Sequence, residues 1–320
     1  MISLKTLAEK LRSEKKVALF CHIYPDGDTI GSAVALGFVL FDAGVPADVY
    51  CPAEVPEKYK FLKGTESVKT EFNRDEGYTA YVAVDCADVS RLGKFGEEFT
   101  GAHVTTYVID HHISNTRFAD YNYVADRAAN AENVFMLAKE LKADITPETA
   151  NALATGVVSD TGNFKHKNVT PDTLRIAAEL VACGADLNNI YFNCFSSQSP
   201  ARAKLFGLTM EKIRYFKDGK IALITITRDA LGKTGAKNEE TEGFIEFIMG
   251  IKGVEIGISV METDDDVYKI SLRSVSADVN AVARTFGGGG HVLASGCRIC
   301  GEYEEAVDRI TVEAGKYVSD

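Results

Sequence analysis

The chain has 320 residues, 46% of them apolar and 25% charged, with a formal net charge of −11. That balance excludes a disordered chain, and the acidic charge excludes a protein that tracks along long polynucleotides, because such binding rests on neutralising many phosphates. At this length two domains sharing an active cleft are expected.

In chain order, Leu4, Leu7, Ala8 and Leu11 recur among charged residues over positions 1–16, which predicts an amphipathic helix. No uninterrupted apolar core follows those charges, so the segment is not read as a signal peptide. Short apolar runs at 17–21, 47–50, 80–84 and 105–109 predict strands, and 31–43, 130–141 and 171–183 predict helices between and after them. This alternation is the pattern of an α/β domain with a largely parallel sheet flanked by helices. A connector over 187–214 contains a polar turn at 196–200 and a helix at 203–213. Beyond it, strands at 221–227, 254–261 and 268–273, with a helix at 242–249, predict a smaller C-terminal α/β domain across a cleft. The expected domains are therefore 1–187 and 215–320, joined by a helical linker, 188–214. No apolar run reaches about 18 residues, so no membrane span is expected. Seven scattered cysteines predict a reducing, cytoplasmic setting, and Cys297-x2-Cys300 fits a late strand better than a redox or zinc motif.

Ligands of parallel sheets bind beyond the carboxyl ends of the strands. His22, Asp26 and Asp28 follow the first predicted strand, Asp85 follows another, and Asp110-His111-His112 follows a third, so they are expected to share one rim. Gly27 is read as permitting a tight loop that projects Asp26 and Asp28, with the helix beginning at Gly31-Ser32. Asp160 closes Gly156-Val-Val-Ser159, a segment that periodicity assigns to neither helix nor strand. Two imidazoles and four carboxylates without thiolates suit a pair of divalent metals, Mn2+ better than zinc or magnesium. Such a pair, about 3.5–4 Å apart, would provide a bridging hydroxide and clamp charge on a phosphoryl oxygen. It would also add about four positive charges to an acidic protein, enough for a substrate with few phosphates.

Four motifs, His22-Ile-Tyr-Pro-Asp-Gly-Asp-Thr-Ile-Gly-Ser32, Val84-Asp-Cys-Ala-Asp88, Ile109-Asp-His-His-Ile-Ser-Asn115 and Gly156-Val-Val-Ser-Asp-Thr-Gly-Asn-Phe164, resemble the successive motifs of the DHH phosphoesterase superfamily. Phe286-Gly-Gly-Gly-Gly-His-Val-Leu-Ala-Ser-Gly296 resembles the Gly-rich motif of its associated C-terminal domain. Order and spacing are most similar to the compact bacterial nanoRNase and pAp phosphatase family of the NrnA type. The resemblance implies one metal held by His22, Asp26 and Asp85 and another by Asp28, Asp85, His111 and Asp160, with Asp85 bridging. It implies that His112 faces the phosphate as a catalytic group and that Asp110 orients the imidazoles. Arg273, Ser274, Gly288, Gly289, Gly290 and His291, with Asn115, are expected to bind substrate. A Mn2+-dependent phosphodiesterase of two- to five-nucleotide RNAs follows, releasing 5'-mononucleotides, with 3'-phosphatase activity on pAp and dimerisation through the first domain. The motifs do not separate this reading from a cyclic di-AMP or pApA phosphodiesterase in signalling; of the further alternatives, the Gly-rich His motif counts against an inorganic pyrophosphatase or exopolyphosphatase, and the intact ligand positions count against a catalytically silent nucleotide-binding regulator.

Overall fold

A computed structural model describes residues 1–318, which separate into two compact units, Met1–Ser197 and Gln198 onward. In the first, Ser3 caps α1 (Leu4–Ser13), whose Leu7, Ala8 and Leu11 are buried. There follow β1 (Val17–Phe20), α2 (Gly27–Asp42), β2 (Ala47–Tyr50), β3 (Ala80–Val84), α3 (Gly96–Thr100), β4 (Thr105–Asp110) and β5 (Tyr121–Val124). Four helices complete the unit: α4 (Asn130–Leu141), α5 (Pro147–Asp160), α6 (Pro171–Ala182) and α7 (Leu187–Tyr191). The five strands form one parallel sheet in the order β2-β1-β3-β4-β5. Strands β1 and β3 are buried throughout, as expected where helices cover both faces of a parallel sheet.

The expected strands of this unit are present, and β5 is an addition. It is only four residues long and includes Asn122, too little for an alternating pattern to register. Helix α2 begins at Gly27, four residues earlier than expected, because Asp26 caps it, its Oδ1 accepting from the backbone N–H groups of Asp28 and Thr29 at 3.0 Å each. Gly27 is therefore helical, and its small size serves close packing: a Cβ there would lie 2.6 Å from Cβ of Ser159. The unassigned segment before Asp160 is α5, started by the Thr146 cap and Pro147. It shows no polar stripe because Thr149, Ala150 and every residue from Ala152 to Val158 are buried.

The second unit contains α8 (Pro200–Met210), β6 (Arg214–Phe216), β7 (Ile221–Ile226), α9 (Arg228–Thr234), α10 (Phe244–Met249), β8 (Ile256–Asp264) and β9 (Val267–Ser274). It ends with α11 (Val279–Thr285), β10 (Gly289–His291), β11 (Ala294–Cys300) and α12 (Tyr303–Ala314). Its mixed sheet runs β10-β11-β9-β8-β7-β6, parallel only between β7 and β8. One apolar core gathers Ile258, Ile270 and Leu272 with Val282 of α11 and Val307 of α12; another gathers Ala222 and Ile224 with Leu205 of α8 and Phe244 of α10. Helix α8 starts three residues before its expected position because Ser199 caps it and Pro200 suits its first turn. The Cys297 to Cys300 segment is strand β11, with both thiols free. Among the described residues no helix is long and apolar enough to cross a membrane.

Candidate metal centre

The carboxyl ends of β1, β3 and β4 and the facing ends of α2 and α5 bring together the side chains singled out in the first unit. His22 follows β1 and is buried; its backbone N–H donates to the Thr29 hydroxyl, which in turn donates to the Val84 carbonyl at the end of β3. With Oδ1 of Asp26 engaged at the start of α2, Oδ2 lies 3.6 Å from Nε2 of His22. Asp85 directly follows β3 in a left-handed conformation (φ 60°), which Asp tolerates better than most residues. Its amide donates to the Ile109 carbonyl at 2.9 Å, extending the β3–β4 pairing by one residue while its side chain turns onto the rim.

Asp85 touches both halves of the site. Its Oδ2 is 3.6 Å from Nε2 of His22, and its Oδ1 is 3.4 Å from Nε2 of His111. Asp160 at the end of α5 brings Oδ2 to 3.4 Å from the same His111 nitrogen, and Asp28 brings Oδ2 to 3.9 Å. Asp28 is wholly buried, and the N-terminus of α4 holds it: Asn130 and Ala131 donate backbone N–H bonds of 2.5 and 2.9 Å, and the Ser32 hydroxyl adds a third of 3.0 Å. Two glycines permit this convergence. A Cβ at Gly31 would lie 2.3 Å from the Ala152 carbonyl oxygen, and one at Gly156 would lie 2.6 Å from Oδ1 of Asp28.

Ligand atoms of His22, Asp26 and Asp85 lie within 4.8 Å of one another, as do those of Asp28, His111 and Asp160, and those of Asp85, Asp110, His111 and His112. The donor set fits cations. His111 Nδ1 donates to the Arg127 carbonyl at 3.1 Å, which leaves Nε2 facing carboxylate oxygens as a lone pair. Both Nε2 of His111 and Oδ1 of Asp85 are buried without a hydrogen-bond partner. Burial, reinforced by neighbouring carboxylates, pushes Asp85 and Asp28 up, and burial with Asp28 and Asp26 pushes Asp160 to about 9. Burial works against a proton on His111, but Asp28 and Asp85 outweigh it and raise its pKa.

These acids have folded pKa values above their unfolded ones, so the folded metal-free protein binds more protons between about pH 4 and pH 9, and its stability declines as pH rises through that window. Divalent ions displace those protons. Thermal denaturation should therefore show a larger Mn2+-induced increase in Tm at about pH 8.5 than at about pH 5.5. Equal increments would contradict cation binding at these carboxylates.

His112 stands beside this cluster, half-exposed, with Nδ1 donating to Oδ1 of Asp110 at 2.8 Å. Burial opposes the charge on Asp110, yet hydrogen bonds from His112 and Asn115 hold its carboxyl below the usual range. Asn115, one of the expected substrate-binding residues, donates from Nδ2 to Oδ2 of Asp110 at 2.6 Å and to the Cys86 carbonyl at 2.9 Å, and its Oδ1 accepts from the Arg117 amide, so its Nδ2 holds the Asp110 carboxylate. Sequence reasoning missed Thr29, the Arg127 carbonyl, Asn130 and Asn133, whose Nδ2 donates to the Asp110 carbonyl at 3.1 Å. The available signal was an Asn-x2-Asn pair opening the apolar helix at 130–141.

The remaining expected residues belong to the second unit. His291, Ala294 and Arg273 are register partners across β10, β11 and β9, so His291 and Arg273 share a sheet face about 10 Å apart. Nε of Arg273 pairs with Oε1 of Glu246 at 3.3 Å, and the Ser274 hydroxyl accepts from the Ser276 and Ala277 amides. Gly288 sits where a Cβ would be 2.2 Å from the Gly296 carbonyl oxygen, so the glycine run brings the chain against β11 and continues into β10.

Residues 16–157 match the family model described as DHH family, N-terminal domain, and residues 218–320 match the DHHA1 domain. The chain is 31% identical to the bifunctional oligoribonuclease and PAP phosphatase NrnA of Thermus thermophilus, over 96% of this chain and 92% of that protein. Likeness to the Bacillus subtilis protein of the same name is 25% over 93% of each chain. An exopolyphosphatase-related protein from Bacteroides fragilis has a similar solved structure, with TM-score 0.85 and 27% identity, covering 98% of this chain and 96% of that one.

Proposed function

The chain belongs to the DHH family of metal-dependent phosphoesterases, and from that premise we propose that it hydrolyses short oligoribonucleotides to 5'-mononucleotides and removes the 3'-phosphate of pAp. The observation that carries the reading is the convergence of two imidazoles, those of His22 and His111, and three further carboxylates, those of Asp26, Asp28 and Asp160, about Asp85, in a chain alike over nearly its whole length to enzymes named for those two activities. His22, Asp26 and Asp85 would hold one Mn2+, and Asp28, Asp85, His111 and Asp160 a second. When bound, such ions supply Lewis acidity toward the phosphoryl oxygens and an activated water at neutral pH.

The protein's own groups do the rest. Asn115 fixes the Asp110 carboxylate, which fixes Nδ1 of His112, so Nε2 is the nitrogen left to hand a proton to the departing ribose 3'-oxygen. The Arg127 carbonyl keeps the His111 tautomer that turns Nε2 toward the carboxylates. In the second unit, Arg273, His291 and the backbone of Gly288, Gly289 and Gly290 supply donors suited to a substrate phosphate.

The test is Mn2+-dependent hydrolysis of equal concentrations of pApA, a 5-mer RNA, a 24-mer RNA, pAp, cyclic di-AMP, pyrophosphate and polyphosphate. Fast cleavage of pApA, the 5-mer and pAp with little of the 24-mer is expected. Preference for cyclic di-AMP would move the protein into signalling. Preference for pyrophosphate or polyphosphate would sink the assignment.

A further inference from the structure

The sheet of the second unit has unequal faces. Tyr268, Ile270 and Leu272 of β9 and Ser295, Cys297 and Ile299 of β11 are buried toward one side, so the alternate residues form the other. On that second side α10 lies over β8, where a Cβ at Gly257 would meet Met249 and Ile248. Farther along the sheet, Lys269 of β9 and Arg298 of β11 are exposed, and they are direct cross-strand partners.

Like charges placed opposite each other on a sheet repel. Acidic residues are plentiful in this chain of net charge −11, yet among the described residues neither Lys269 nor Arg298 has an ion-pair partner. Arg273, by contrast, is paired with Glu246. Between the cationic pair and the row containing Arg273 and His291, the face is floored by Ser271, Gly296 and Gly289, which are register partners of one another. A cavity of ≈ 160 Å³ opens beside this floor, and Lys269, Ser271 and Arg273 all line it. Lys269 is four residues from Arg273 along β9, about 14 Å at the rise of an antiparallel strand.

One phosphate cannot touch both ends of such a strip, whereas a stretched strand of several nucleotides can. We propose that Lys269 and Arg298 form a phosphate subsite for the body of a single-stranded oligonucleotide longer than a dinucleotide, with its terminal phosphate toward Arg273 and His291. The proposal rests on the reading of this protein as an oligoribonucleotide hydrolase. It assigns the length dependence of substrate binding to two residues outside the metal centre. The small floor lets sugar and base lie close to the sheet, and the two cations contribute affinity without reading sequence.

The experiment compares the full chain with the double variant Lys269→Ala/Arg298→Ala. Binding of a labelled 5-mer RNA is followed by anisotropy in chelator, and KM is measured with Mn2+ for the 5-mer, pApA and pAp. Kd and KM for the 5-mer should rise about tenfold, while KM for pApA and pAp changes less than about twofold. The log–log salt slope for the 5-mer should fall by about 1.4, as expected when two contacts to a single strand are lost. Tm should stay level or rise, since a repulsion is removed, and Lys269→Arg/Arg298→Lys should bind like the parent. Unchanged affinity for the 5-mer, or an equal loss for pAp, overturns the subsite. A parent protein that loses 5-mer affinity in the variant but cleaves none of the three substrates overturns the hydrolase reading and leaves the subsite standing.

Discussion

Replacing Asp85 by Asn should lower metal-dependent turnover on the order of 10³-fold or more while leaving the metal-free protein at least as stable as the parent. Asp85 is buried, and its two oxygens face His22 and His111, the imidazoles of two groups that could each hold a metal ion. Asn keeps the volume and accepts the left-handed backbone at this position. It removes a carboxylate whose ionisation is opposed by burial and then by Asp28 and Asp26. Activity and stability should therefore move apart, as they do where a site stores repulsion for function. Turnover measured beside thermal denaturation in chelator at about pH 8 decides the matter. A Tm that collapses with activity would make Asp85 a structural residue, and retained activity would remove it from the centre.

Gly31→Ala should destabilise the protein by about 2–3 kcal/mol and weaken metal binding more than about tenfold. On an open helix the same change would stabilise by up to about 1 kcal/mol. Here the new methyl group would meet the Ala152 carbonyl oxygen at 2.3 Å and the Gly156 amide nitrogen at 3.1 Å, both backbone atoms of α5 that cannot rotate away. Helices α2 and α5 must separate, which carries Asp160 away from Asp28 and His111. Gly37→Ala on the same helix is the control, because its nearest neighbour there would be a Val49 methyl carbon at 3.7 Å. Denaturant unfolding and a metal titration of the two variants give the comparison. Equal behaviour would show that the α2–α5 crossing does not set the ligand geometry.

Much of the centre was legible because apolar runs end abruptly at His22, Asp85 and Asp110, and strands of a parallel sheet put their carboxyl ends on one rim. Asp160 was visible as a ligand type but not as part of an element. Helix α5 is buried nearly all round, so it lacks the amphipathic period by which helices are read. Gly27 was misread as a turn glycine because Pro-Asp-Gly-Asp is a turn composition; its contact with Ser159, far along the chain, is what demands a small residue. The hydrogen bonds of Asn115 to Asp110 and to the Cys86 carbonyl join loops after different strands, and no local pattern announces them.

The amino-acid sequence by itself determined the residue types of the candidate centre, the strands β1, β3 and β4 that carry most of them, and the family, since these depend on local composition and on motif spacing. Only the tertiary structure decided which oxygen of Asp85 faces which imidazole, which His111 nitrogen is left bare, and how closely α2 may approach α5. It also decided that Lys269 and Arg298 stand opposite each other. Each of these is a contact between residues distant in the chain, set by strand register and helix packing, and no local pattern of side chains encodes it.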